Sequence, residues 1–133
     1  MSTEEKVKSK LIQLLKSEVI FAYVFGSVAM GRMQRASDID IAVYLKDSLI
    51  GLDEKLAFIG MLTSALGRDV DVIFLNDADI IITMQILTNG ELIINNDSSK
   101  HTLFVAKKLG IYADFKISRQ IIEQNMLSGR IYA

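Results

Sequence analysis

Hydrophobic residues recur at helical spacing in several segments of the chain. Ser2 and Glu5 form the sequence pattern of a capping box ahead of the first segment, and Gly67 follows the second as a helix terminator. Asn76 or Asp77 can cap a third helix. The predicted helices span residues 3–18, 52–66, 78–88 and 97 or 98 to about 127, the last with or without a break near Gly110.

Four other segments have the apolar runs or the alternation of strands. The run that ends at Phe25 is continuous, β-branched and aromatic, which favours a buried strand. The segment that begins at Asp69 alternates polar and apolar residues before it becomes apolar. The predicted strands span residues 20–25, 38–45, 69–74 and 91–95.

The order of these elements predicts an α/β (α+β) fold in which helices cover a mixed β-sheet. No repeat, low-complexity segment or linker divides the chain, so residues 1–133 are predicted to form a single domain. Its core is expected over about 1–95, followed by a helical C-terminal extension over about 97–128.

Composition excludes several classes of protein. The 133 residues are 50% hydrophobic and 23% charged with a formal net charge of -1, which argues against disorder and against a broad nucleic-acid surface. The chain has no cysteine, hence no disulfide or thiolate metal site. The N-terminus lacks the apolar region of a signal peptide, and no apolar run approaches membrane-spanning length, so we expect a cytoplasmic protein without direct nucleic-acid or membrane contact.

Two carboxylates at the start of the second strand carry the candidate chemistry. Residues i and i+2 of a strand point to the same face, so Asp38 and Asp40 lie side by side while Ile39 and Ile41 face the core. Two anions held together require a cation, and Mg²⁺ prefers oxygen ligands completed by substrate phosphates.

A glycine-serine turn before these carboxylates suggests a phosphate site. Gly26 allows close backbone approach to a phosphate, the Ser27 hydroxyl can donate to an oxygen, and the next helical turn offers free N–H groups. Asp71 is the predicted third carboxylate, as a metal ligand or as the base that accepts a hydroxyl proton, and Asp69 on the same face is its rival.

Gly26-Ser27, ten residues and Asp38-x-Asp40 together resemble the signature of the polymerase-β-like nucleotidyltransferase superfamily, with Val70-Asp71-Val72 as the third motif. Less specific similarities in residues 90–94 and 111–119 resemble the minimal nucleotidyltransferases (MNT) that are antitoxins of HEPN–MNT modules. The resemblance implies catalysis with two Mg²⁺ ions, held by Asp38, Asp40 and Asp71.

The resemblance also implies a nucleotide site formed by Gly26, Ser27, Arg32 and Ser37. Many relatives carry arginine where this chain has Met30, so the triphosphate contact falls to Arg32 or Arg35, or is absent. His101 is expected at the surface without a role.

In the MNT family the implied activity is transfer of AMP from ATP to a tyrosine of a HEPN ribonuclease toxin. Two alternatives stay open at this point. The acceptor can be a small molecule of the aminoglycoside type, or the antitoxin can neutralise its partner by binding alone. The short chain, which leaves little room for a substrate domain, favours an acceptor supplied by another protein.

Overall fold

A computed structural model describes residues 2–26, 28–29, 31, 38–47 and 50–127. Within these residues, four helices cover a four-stranded mixed sheet, as the sequence predicts. The elements in chain order are α1 (Thr3–Leu15), β1 (Val19–Phe25), β2 (Ile39–Leu45), α2 (Leu52–Leu66), β3 (Val70–Phe74), α3 (Ile80–Asn89), β4 (Glu91–Asn95) and α4 (Ser98–Leu127).

The sheet order is β3-β2-β1-β4. β1 lies between β2 and β4 and is antiparallel to both, whereas β2 and β3 are parallel. Six of the seven residues of β1 are buried, which explains its continuous apolar sequence. The starts of β2 and β3 and the end of β1 therefore meet at one end of the sheet.

Alternation divides the sheet into two faces. The face that carries Ile39, Ile41 and Val43 packs against α1 and α2 in the larger core cluster. The opposite face carries Ala42 and Tyr44 and packs against α3 and the first turns of α4. Asp40 belongs to this second face because it alternates with Ile39 and Ile41.

Two helix boundaries follow directly from local chemistry. The Ser2 hydroxyl accepts a hydrogen bond from the backbone N–H of Glu5 at 3.2 Å, as the capping pattern predicts. Helix α2 ends at Leu66, and Gly67 adopts a φ of +66°, a left-handed conformation that favours glycine. The other strand and helix ends lie within three residues of the predicted ones.

The predicted cap of α3 is wrong. Asp79 is the N-cap, and its carboxylate accepts from the N–H of Ile82 at 2.9 Å. Asn76 instead bonds the backbone N–H and C=O of Leu45 at 2.9 and 3.2 Å, while Asp77 accepts from Lys55 at 2.6 Å. Because these partners are distant in sequence, local capping rules do not identify them.

Helix α4 runs unbroken through Gly110, which is one of the two forms that the sequence allows. None of its residues is buried. Its exposed large apolar residues include Leu103, Leu109, Ile111, Phe115, Ile117, Ile121, Ile122, Met126 and Leu127. Within the described residues, no helix is both long and apolar enough to cross a membrane.

The prediction that His101 lies at the surface is also wrong, because its ring packs against the second face of the sheet. Its ring lies edge-on to that of Phe21, with centroids 4.8 Å apart, and its Nε2 is hydrogen-bonded to the Tyr23 hydroxyl. The spacing of His101 and Phe104, one helical turn apart, could have indicated this position, since both side chains contact the Phe21 ring.

Candidate active site

Three strands place a row of side chains across one end of the second sheet face. Asp40 on β2 is paired with Phe25 on antiparallel β1 and with Asp71 on parallel β3. Neighbouring strands lie about 4.8 Å apart, so the Asp40 and Asp71 carboxylates are direct lateral neighbours. Asp38 immediately precedes β2 and is exposed at the same end.

The electrostatics of Asp40 reflect this crowding. Partial burial raises the pKa of the Asp40 carboxyl above its ordinary value. The negative charges of Asp71 and Asp38 raise this pKa further, and so does a side-chain hydrogen bond with Asp71. Asp71 and Asp38 are thus close enough to raise the pKa of the Asp40 carboxyl, and a cation beside Asp40 would relieve the repulsion.

Asp69 is placed differently from Asp71. It is exposed and lies just before β3, where its backbone carbonyl accepts a hydrogen bond from the N–H of Ile39 at 2.9 Å. Asp69 is not among the charges that shift the pKa of Asp40, whereas Asp71 is the foremost of them. The geometry therefore favours Asp71 as the partner of Asp40, and its chemical role stays a prediction.

Gly26 brings the turn after β1 directly against this acidic pair. Its φ of +64° lies in the left-handed region. A Cβ added to Gly26 would collide with Oδ2 of Asp40 and would lie 3.3 Å from its Cγ. The absence of a side chain at Gly26 therefore leaves the space that the Asp40 carboxylate occupies.

The chain next to Gly26 is anchored by Val28, which is 1% exposed and packs in the larger core cluster. The backbone N–H of Gly31 donates to the carbonyl of Val28 at 3.4 Å. The other predicted nucleotide contacts, Ser27, Arg32, Ser37 and the alternative Arg35, lie outside the described residues.

The donor set at this site fits a hard divalent cation. Within the described residues, no three acidic, histidine or cysteine side chains are gathered into a complete metal site. Mg²⁺ rarely needs one, since it binds through one or two carboxylates and takes its remaining ligands from water and phosphates. Asp40 with Asp71 or Asp38 supplies such a pair of carboxylates.

Two cavities flank the second sheet face at opposite ends. The larger, about 460 Å³, lies at the far end beside Lys46 and Lys107 and has no acidic residue among the described residues that line it. It is therefore not the reaction centre. The other, about 420 Å³, includes Gly26 and Phe25 in its lining and adjoins the acidic row. Neither cavity is visible from the sequence, because each is formed by separate elements.

Comparison with known proteins agrees with this geometry. The family model described as polymerase beta, nucleotidyltransferase matches residues 5–99. The protein adenylyltransferase MntA of Shewanella oneidensis is 31% identical over 124 residues, which cover 91% of this chain and 88% of that protein.

Solved structures extend the likeness to the whole fold. A chain in the crystal structure of a toxin–antitoxin with AMP-PNP has a TM-score of 0.72 and 28% identity, over 95% of this chain and 99% of that one. A chain in the re-refined structure of tri-AMPylated Shewanella oneidensis HEPN toxin in complex with MNT antitoxin has a TM-score of 0.73 and 26% identity, over 94% and 99%.

Proposed function

The chain belongs to the polymerase β nucleotidyltransferase family, and from this membership we propose that it transfers AMP from ATP to a tyrosine hydroxyl of a HEPN ribonuclease toxin. It thereby acts as the antitoxin of that partner. The observation that carries the proposal is the lateral pair of Asp40 and Asp71 opposite Gly26.

The reaction is an in-line displacement at the α-phosphorus of ATP. The acceptor oxygen forms the new P–O bond, the bond to the β-phosphate bridging oxygen breaks, and pyrophosphate leaves. Asp71 either accepts the hydroxyl proton or serves as the third metal ligand. Asp38 and Asp40, joined by Asp71 if it is the third ligand, would hold two Mg²⁺ ions, which when bound neutralise phosphate charge.

Nucleotide binding begins at the Gly26 turn. The missing side chain lets the Asp40 carboxylate lie directly against this turn, so a phosphate held beside Asp40 would also lie close to the Gly26 backbone. Ser27, Ser37 and Arg32 complete this set in the proposal, with Arg35 as the alternative cation, on the strength of family likeness.

One further observation supports a protein acceptor. Helix α4 exposes many large apolar side chains, a pattern typical of a protein contact surface. A cytoplasmic location is part of the proposal because both ATP and a ribonuclease toxin act there.

Intact-mass measurement of the toxin tests this function. We expect incubation of the purified protein with its toxin, ATP and Mg²⁺ to add one or more AMP units to the toxin. Asp71→Asn should abolish the addition, whereas the neighbouring Asp69→Asn should retain it. If both variants modify the toxin at the parental rate, the role of Asp71 is wrong.

A double variant distinguishes catalysis from neutralisation by binding. Asp38→Asn with Asp40→Asn should still co-purify with the toxin but fail to silence its ribonuclease activity. Full neutralisation by this variant would favour the binding-only antitoxin. Labelled ATP with a panel of hydroxylated small molecules tests the remaining alternative, and labelling of one of them without toxin labelling would overturn the protein acceptor.

A further inference from the structure

A cavity of about 420 Å³ lies between the acidic end of the sheet and helix α3. Its volume falls within the usual range of small-molecule sites. Four of its lining side chains are apolar and two are amides, and no charged residue is among the described residues that line it. The lining comprises Phe25, Gly26, Ile73, Ile82, Gln85, Ile86 and Asn89.

The cavity adjoins the reaction centre on the same sheet face. Phe25 is the β1 partner of Asp40, and Ile73 follows Asp71 by two residues, about 7 Å along the strand. Gly26 lines the cavity and also abuts the Asp40 carboxylate. A molecule whose phosphates lie at Gly26 can therefore extend its other end into this cavity.

Helix α3 contributes one stripe of side chains to the cavity. Ile82, Gln85, Ile86 and Asn89 stand at positions i, i+3, i+4 and i+7, which share one helix face. Ile86 is buried, but Ile82 is 37% exposed, and both amides are exposed. The cavity thus has an apolar interior and an amide rim that is open to a ligand.

This combination fits a flat, neutral heteroaromatic ring. Apolar walls bind the faces of such a ring, and side-chain amides hydrogen-bond its edge. An amide offers one donor and one acceptor, which matches the amino group and ring nitrogen on the edge of adenine. Guanine presents O6 as an acceptor and N1–H as a donor, the reverse order, so an amide oriented to pair with adenine is matched less well by guanine.

We infer that this cavity holds the adenine ring of the donor nucleotide, and that Gln85 and Asn89 determine its preference for ATP over GTP. The inference rests on the proposed function only for the identity of the donor. Ile82, Ile73 and Phe25 supply the apolar walls, and the phosphates then reach Gly26 and the acidic row.

Equilibrium binding of a non-hydrolysable ATP analogue, with Mg²⁺ and without toxin, tests the assignment. Ile82→Trp fills the cavity and should weaken analogue binding at least about 10-fold, while binding of inorganic tripolyphosphate stays at the parental value. Gln85→Met and Asn89→Leu should each lower the ATP-to-GTP affinity ratio about 10-fold. Gln13→Met, on helix α1 across the sheet, should change neither value.

If Ile82→Trp binds the analogue as tightly as the parental protein and melts at the same temperature, the base binds elsewhere and the inference is wrong. If the ATP-to-GTP affinity ratio is unchanged in both Gln85→Met and Asn89→Leu, these two residues do not determine the preference for ATP. The test requires no acceptor, so it is independent of the proposed transfer. A chain that fails to modify any toxin but shows these binding losses would refute the function and retain the cavity assignment.

Discussion

Replacing Gly26 by alanine should damage the reaction centre more than the fold. Gly26 has a φ of +64°, and an added Cβ would occupy the position of the Asp40 carboxylate. The Asp40 side chain must then rotate away from Asp71, or the turn must move. Either change separates groups that the proposed reaction needs together.

The two parts of this effect can be estimated separately. Holding alanine in a left-handed conformation costs about 1–2 kcal/mol. That cost would lower the melting temperature by roughly 3–8 °C for a domain of this size. Displacing a reacting group by about 1 Å can reduce a catalytic rate about 100-fold. We therefore expect Gly26→Ala to melt a few degrees lower and to transfer AMP about 100-fold more slowly.

Gly67 provides a matched control. Its φ is +66°, but a Cβ there would meet nothing within 4 Å among the described atoms. Gly67→Ala should show the same loss of melting temperature and retain the parental rate. The assay compares thermal melts and initial rates of toxin modification for the two variants. Equal rates in Gly26→Ala and Gly67→Ala would show that Gly26 is not needed to leave space for the Asp40 carboxylate.

Three other substitutions test the stability consequences of the fold. Asp40→Asn should raise the melting temperature at pH 7 and abolish transfer. Because the Asp40 pKa is raised in the folded protein, the free energy of unfolding falls as pH rises above the ordinary carboxyl pKa, and the uncharged amide avoids this loss. A lower melting temperature of the variant at pH 7 would contradict this sign. Thr83 is fully buried and its Oγ1 has no hydrogen-bond partner among the described residues, so Thr83→Val should raise the free energy of unfolding in urea by about 1 kcal/mol without changing transfer. Tyr23→Phe removes the hydroxyl bonded to His101 and should lower the free energy of unfolding by about 1 kcal/mol. Because burial lowers the pKa of His101, the stability that its neutral form contributes should be lost as pH falls below about 6.5, and a pH-independent urea midpoint between pH 7 and 5 would contradict that reasoning.

Local sequence chemistry determined most of the secondary structure and part of the site. Local effects act through residues within one helical turn or one strand, so they can be predicted without knowing the fold. Examples are the Ser2 cap, the Gly67 terminator and the apolar runs. The i, i+2 spacing of Asp38 and Asp40 likewise predicts that the two carboxylates lie near each other, although β2 itself begins at Ile39.

Tertiary structure decided what depends on residues distant in the chain. The register of β2 against β3 makes Asp71, rather than Asp69, the neighbour of Asp40, and a register depends on packing of whole strands. The bonds of Asn76 to Leu45 and of Tyr23 to His101 join residues 31 and 78 positions apart. The cavity beside Ile73 likewise exists only because α3 packs against the sheet. The position of α3 is set by burial of the apolar stripe of that helix.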